Sequence, residues 1–233
     1  MKIAFVHVAT NKYVEFLTVL GSTINKYFLP GVEKHYYVFT DQMDYPVHTN
    51  VHKVKIEPKG WPGDTYYRYH YFLTIKDTLK EYDYIYYLDA DMKVVNYVGK
   101  EVLTDLLGVQ HPGFFVDKKG TPEDNQKNST AYLDRDDVKQ YCCGGFQGGS
   151  STEYLKLCET ISKNIDIDDK NGILAKFHDE SHVNRYFVDN PPTRILNAGY
   201  CAPESAWEVP FPYKIVALDV SAEAVVNKWE AGH

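Results

Sequence analysis

The chain has 233 residues, of which 44% are hydrophobic, enough for one domain with its own core and too many for a disordered chain. A formal net charge of −7 argues against nucleic acid as a partner, because binding to phosphates calls for a basic footprint. No apolar run is long enough to span a bilayer, which excludes a membrane-spanning helix from the reading.

Lys2 to Val8 reads as a first strand. Met1 to Thr10 is short, contains His7 and runs straight into polar sequence. It suits a strand better than a signal peptide, so a cytoplasmic location is expected. Val14 to Phe28 reads as a helix, with Phe16, Leu17, Leu20, Ile24 and Tyr27 at helical spacing and Pro30-Gly31 as its stop. Lys34 to Thr40 and Val51 to Ile56 read as strands, and Thr65 to Tyr82 as a second helix capped by Asp64 or Thr65. The run Tyr84 to Ala90 reads as a buried strand that ends on acids. Strands alternating with helices predict an α/β fold with a mostly parallel central sheet flanked by helices. Ligands in such sheets gather beyond the carboxyl ends of the strands. Val8-Ala9-Thr10, Thr40-Asp41 and Asp89-Ala90-Asp91 all fall at predicted strand ends and are expected to share one crevice.

After residue 110 the pattern breaks into loops, with Pro112-Gly113, Gly120 and Asp134 to Asp137 as turn signals. Gly144-Gly145-Phe146-Gln147-Gly148-Gly149 lacks the spacing and the lysine of a phosphate-binding loop, so a close backbone turn is the simpler reading. Glu153 to Ile165 reads as a helix. Asp166 to Gly172 resembles a calcium loop only superficially, because Ile167 would occupy the first coordinating position; a turn is expected there. Cys142, Cys143, Cys158 and Cys201 include no Cys-x-x-Cys pair and read as reduced thiols.

Asp89-Ala90-Asp91 carries the most chemistry. Residues i and i+2 of a strand point to one face, and two carboxylates there can converge on one hard cation. Many nucleotide-sugar transferases hold a divalent metal and a diphosphate this way; a polar turn is the plain alternative. Arg68 lies in the ring-rich run Tyr66-Tyr67-Arg68-Tyr69-His70-Tyr71. It either stacks on those rings or offers its fork to a carboxylate or phosphate. His178-Asp179-Glu180-Ser181-His182 places two histidines at i and i+4, which on a helix share a face. A zinc hydrolase would need Glu directly after the first His, where Asp179 stands, so that reading is a distant one.

Taken together, the segments resemble family 6 retaining glycosyltransferases, the family of the ABO blood-group transferases, the α-1,3-galactosyltransferases and shorter bacterial relatives. The matching segments are Asn11 to Leu17, His35 to Asp41, Gly60-Trp61-Pro62 leading to Arg68, and Leu88 to Met92. His111 to Phe114, Gly144 to Gly149 and His178 to Tyr186 follow in family order, the whole covering about residues 1 to 200. The membrane anchor and stem of the animal enzymes have no counterpart in this sequence, as in the bacterial members.

The resemblance implies a GT-A fold with a Rossmann-like nucleotide-binding half. It implies one catalytic domain over residues 1–233, with UDP bound by about 1–110 and the acceptor by about 111–233. The implied reaction is α-1,3 transfer of GalNAc or Gal from UDP to a β-galactoside acceptor, with retention. Val8, Ala9 and Tyr13 fall where the family holds uracil and ribose, and Asp89, Ala90 and Asp91 on the metal motif, with Mn²⁺ as the expected ion. Arg68, Asp89 and Asp179 fall where the donor sugar is gripped. His111, Phe177 and Glu180 fall at the junction of donor and acceptor, Glu180 matching the family's acid that acts either as nucleophile or as stabiliser of the developing cation. Cys143, Gly144 and Gly145 flank the sugar's 2-position and are all small, which favours UDP-GalNAc over UDP-Gal. This chain departs from the pattern in three places. Phe177 replaces a tryptophan, residues 120–127 lack a Glu-Arg-Arg, and no basic tail is recognisable after Tyr213, Lys228 being a weak substitute. A non-catalytic nucleotide-sugar-binding module on the same fold is the alternative.

Overall fold

The computed structural model describes residues 1–46, 50–205 and 208–219. A seven-stranded sheet has the order β3 (Val51–Lys55), β2 (Glu33–Thr40), β1 (Lys2–Val8), β4 (Tyr84–Leu88), β7 (Phe146–Ser150), β6 (Leu106–Val109), β8 (Arg194–Leu196). Neighbours run parallel except β7, which is antiparallel to both β4 and β6. A small second sheet pairs β5 (Met92–Val94), β10 (Ile215–Ala217) and β9 (Ala202–Pro203). This is the expected α/β architecture, consistent with a GT-A-like fold. Among the described residues, no helix is long and apolar enough to cross a membrane.

Alternation along β1 explains why both faces are covered. Ala4 and Val6 pack with Tyr69 and Phe72 of α3 (Arg68–Leu73) and with Leu157 and Ile161 of α5 (Ser151–Lys170). Ile3 and Phe5 face the other way, onto Leu20 and Ile24 of α1 (Leu17–Tyr27). Burial is complete at all four β1 positions, as a doubly covered strand requires.

Several local readings change. The first helix opens with a 3-10 turn over Asn11–Phe16 before α1 begins. The predicted Thr65–Tyr82 helix is three short pieces: α2 (Gly63–Tyr66), α3, and α4 (Lys76–Leu79). Neither expected cap acts as one, because Asp64 accepts instead from the Thr10 hydroxyl at 2.8 Å and the Lys59 N–H at 2.8 Å. The fourth strand stops at Leu88, so Asp89 and Asp91 lie in the turn beyond it.

The glycine-rich run is not only a turn, since Phe146 onwards forms a central strand. A β-carbon on Gly148 would lie 2.4 Å from the Tyr86 ring, so glycine lets β7 sit against a tyrosine-rich neighbour. Helix α5 continues to Lys170, through the segment expected to turn. Asp168 is fully buried there, accepting from Ser129 Oγ at 2.7 Å and Thr130 N–H at 2.7 Å, which fixes the extra turn tertiarily.

Candidate active site

The carboxyl ends of the parallel strands and the start of reversed β7 meet at one edge of the sheet. Val8, Tyr13, Asp89, Ala90 and Asp91 line a cavity of about 220 Å³ there, with Trp61 and Tyr87. Ala9 sits just beneath, packed with Val14, Val38 and Ala90, its N–H bonded to the Phe39 carbonyl at 2.9 Å. A larger groove of about 620 Å³ lies on the α1 side, lined by residues such as Leu20, Gly21 and Tyr36. It contains none of the predicted site residues.

Arg68 organises the cluster. It is 2% exposed, and its guanidinium lies over the Tyr87 ring, 4.3 Å from the centroid. One terminal nitrogen donates to Asp89 Oδ1 at 3.3 Å and to the Gly144 carbonyl at 3.2 Å. The other pairs with the buried Asp179. Stacking and carboxylate pairing, posed as alternatives by the sequence, therefore occur together. The Tyr87 hydroxyl also donates to Asp89, and the Asp89 N–H is held by the Gly145 carbonyl at 3.0 Å.

Glu180 lies in the first turn of α6 (His178–Asp189), next to Asp179. Its Oε2 accepts from the Gly144 N–H at 2.7 Å and its Oε1 from the Tyr141 hydroxyl at 2.8 Å. Asn184, one turn on, donates to the Glu180 carbonyl at 2.9 Å and exchanges two bonds with the Cys142 backbone. Gly144 and Gly145 run between the acids. A β-carbon would lie 3.2 Å from Asp179 Oδ2 at Gly144 and 2.7 Å from Asp89 Oδ2 at Gly145. Their smallness thus has a packing cause of its own.

Burial dominates the electrostatics here. It pushes Glu180 up to about 7, against the two hydrogen bonds that favour its charge. It pushes Asp179 up to about 6, against the pull of Arg68. Asp91 rises to about 7, first from burial and then from the charge of Asp89. A divalent cation between the two acids would offset both the burial of Asp91 and its repulsion by Asp89. Among the described residues no third carboxylate, histidine or cysteine joins them to complete a ligand set, so ligand oxygens and water would complete the shell.

His111 packs against Phe114 with the rings tilted at 4.7 Å and meets Tyr141 edge-on at 5.8 Å, its Nδ1 accepts from the Gly113 N–H, and burial lowers its pKa to about 4. Phe177, 39% exposed, immediately precedes α6. Cys143 is buried beside Cys201, and all four cysteines are free thiols. The histidines at i and i+4 do not share an environment. His178 begins the helix with φ of 50° and meets Trp61 edge-on at 5.2 Å. His182 is fully buried, 3.7 Å from Asp168. Sequence reasoning gave no role to Tyr87, Tyr141 or Asn184; the only available signal was Asn184 at one helical turn from Glu180.

A mostly parallel sheet thus gathers paired acids, a buried arginine and a helix-borne Asp-Glu at its carboxyl edge. The sequence profile described as Glycosyltransferase family 6 matches residues 1–224, and the chain belongs to that family. It is 32% identical over 210 residues to histo-blood group ABO system transferase 1 of Rattus norvegicus, covering 86% of this chain and 59% of the relative. It is 31% identical over 216 residues to the O-antigen biosynthesis glycosyltransferase WbnI of Escherichia coli, covering 89% and 91%. Identity to globoside alpha-1,3-N-acetylgalactosaminyltransferase 1 of Homo sapiens is 28% over 210 residues, covering 86% and 59%. The chain thus spans about three-fifths of the animal relatives and nearly all of the bacterial one.

Proposed function

We propose that the protein is a metal-dependent, retaining α-1,3-glycosyltransferase that moves GalNAc, in preference to Gal, from UDP to a β-galactoside acceptor. The observation that carries the reading is the buried Arg68, which joins the part-exposed Asp89 of the metal motif to the buried Asp179 beside Glu180. Val8, Ala9 and Tyr13 would meet the nucleoside, and Asp89 and Asp91 would hold Mn²⁺. Bound there, the ion would act as a Lewis acid on the charge that leaves with UDP.

The chain's own groups do the rest. Arg68 and Asp179 orient the donor sugar by a fork and an acceptor pair fixed before the ligand arrives. The Glu180 carboxylate, held by two donors, stabilises the positive charge that grows at the anomeric carbon. Phe177 offers an exposed ring to a sugar face and His111 a neutral imidazole to an acceptor hydroxyl. The lean to GalNAc rests on the small residues 143–145 and is supported by the likeness to the human globoside alpha-1,3-N-acetylgalactosaminyltransferase 1. The basic residue Lys228 lies outside the described residues, so closure over the diphosphate rests on no contact here.

UDP release and product linkage should be measured with UDP-GalNAc and UDP-Gal over a panel of galactosides, with Mn²⁺ and with chelator. Mn²⁺-stimulated α-1,3 transfer, fastest with UDP-GalNAc, is the expected outcome. Binding of UDP-GalNAc with no hydrolysis or transfer on any acceptor would instead favour the non-catalytic module. Full transfer in chelator would remove the metal.

A further inference from the structure

Glu180 is not held by its own helix alone. Its Oε1 partner, Tyr141, lies 39 residues away in sequence and is fully buried. The Tyr141 backbone is tied on both sides, its N–H to the Lys118 carbonyl at 2.7 Å and its carbonyl to the His111 N–H at 3.1 Å. Gly120, at φ of 58°, passes so close that a β-carbon would lie 2.4 Å from the Tyr141 ring. The Thr121 side chain lies close to the same tyrosine hydroxyl. Two residues on, the buried Glu123 accepts from the Gln126 N–H at 3.2 Å and from the Lys176 N–H, just before Phe177. The stretch from Lys118 to Gln126 therefore grips Tyr141 at one end and the approach to α6 at the other. This is the stretch in which the expected Glu-Arg-Arg is missing.

We propose that Tyr141 is a positioning residue for Glu180, coupling the loop Lys118–Gln126 to the carboxylate so that loop and acid move as one unit. The inference rests on the transferase reading for its kinetic consequence, not for its geometry. A buried phenol that donates to a carboxylate favours the charged form and removes a rotational freedom. Other groups facing Glu180 are Arg68 from α3, Asp179 on α6, and the thiols of Cys142 and Cys201; His111 packs on Tyr141 itself.

Tyr141→Phe keeps the ring against Gly120 and Phe114 and removes only the hydroxyl. Its kcat should fall roughly tenfold or more, as for loss of a hydrogen bond to a charged group, with donor KM nearly unchanged. The acid limb of the kcat profile should move up by about one pH unit. Denaturation midpoints followed across pH should show the same upward move in the pH at which stability stops falling, and need no activity. In a Glu180→Gln background both pH effects of Tyr141→Phe should vanish. Thr121→Val should shift the profiles the same way by less, and serves if Tyr141→Phe folds poorly. Unmoved kinetic and denaturation profiles in both variants would overturn the proposal. Wild-type turnover in Glu180→Gln would sink the transferase role of Glu180 instead, while the denaturation profile still tests the Tyr141 contact.

Discussion

Arg68→Met is expected to cost far more stability than a single surface charge. The Arg68 and Asp179 side chains are each 3% exposed, so removal of the cation leaves a buried carboxylate with no opposite charge beside it. Breaking such a pair costs about 3–5 kcal/mol, and loss of the Tyr87 ring contact adds to that. With a urea dependence of about 2–3 kcal/mol per molar, the unfolding midpoint should drop by roughly 1–2.5 M. Asp179→Asn in the same chain should recover about half of the loss, because the stranded charge is gone. The pH dependence supplies a second test. Asp179 already sits high, at about 6, above its unfolded value of 3.8, so the native state binds more protons between these values. Stability therefore falls as pH rises through that window. Without Arg68 the carboxyl moves higher still, and the deficit of the variant should widen above pH 6 and shrink toward pH 5. Equilibrium urea unfolding at several pH values measures both. A double variant no more stable than the single one, with a deficit that ignores pH, would refute the reasoning.

The remaining expectations concern the acids and the close-packed glycines. Asp89→Asn with Asp91→Asn should abolish Mn²⁺-stimulated UDP release, measured by a coupled nucleotide assay, while leaving a folded protein by circular dichroism. Glu180→Gln should lower turnover at least a hundredfold with donor affinity by calorimetry nearly unchanged, since its charge acts mainly in the transition state. Glu180 titrates near 7 in the fold against 4.5 unfolded, so it makes stability decline as pH rises between those values; Glu180→Gln should flatten that decline in thermal unfolding. Gly148→Ala puts a methyl 2.4 Å from the Tyr86 ring and 2.5 Å from the Ile85 carbonyl, and should cost about 2–3 kcal/mol in urea unfolding.

The sheet was legible because its buried strands are continuous apolar runs and their ends carry the polar residues. Val8, Thr40 and Leu88 close three parallel strands at one edge, as periodicity alone suggested. Strand β7 was not legible. Its sequence, Phe146-Gln147-Gly148-Gly149-Ser150, has almost no strand propensity, and only the closeness of Tyr86 and Asp105 makes glycine the residue that fits. The last turn of α5 was hidden for a similar reason. Asp166 to Lys170 reads as a turn until Asp168 is seen to be buried against Ser129 and Thr130, some 39 residues away. Arg68, Asp179 and Glu180 could be named from their motifs, but Tyr141 could not, because no local pattern announces a loop tyrosine whose partner lies on a helix 39 residues away. The shared histidine face failed at a backbone detail, the positive φ of His178, which no spacing rule encodes.

A single guanidinium divided between Asp89 and Asp179 means that neither acid can be tuned in isolation. The charge of Asp89 already raises the proton affinity of Asp179, so a cation arriving at the first would be felt at the second across the arginine. On the proposed binding, occupancy at the Asp89 end would thereby alter the proton affinity of Asp179 by field alone.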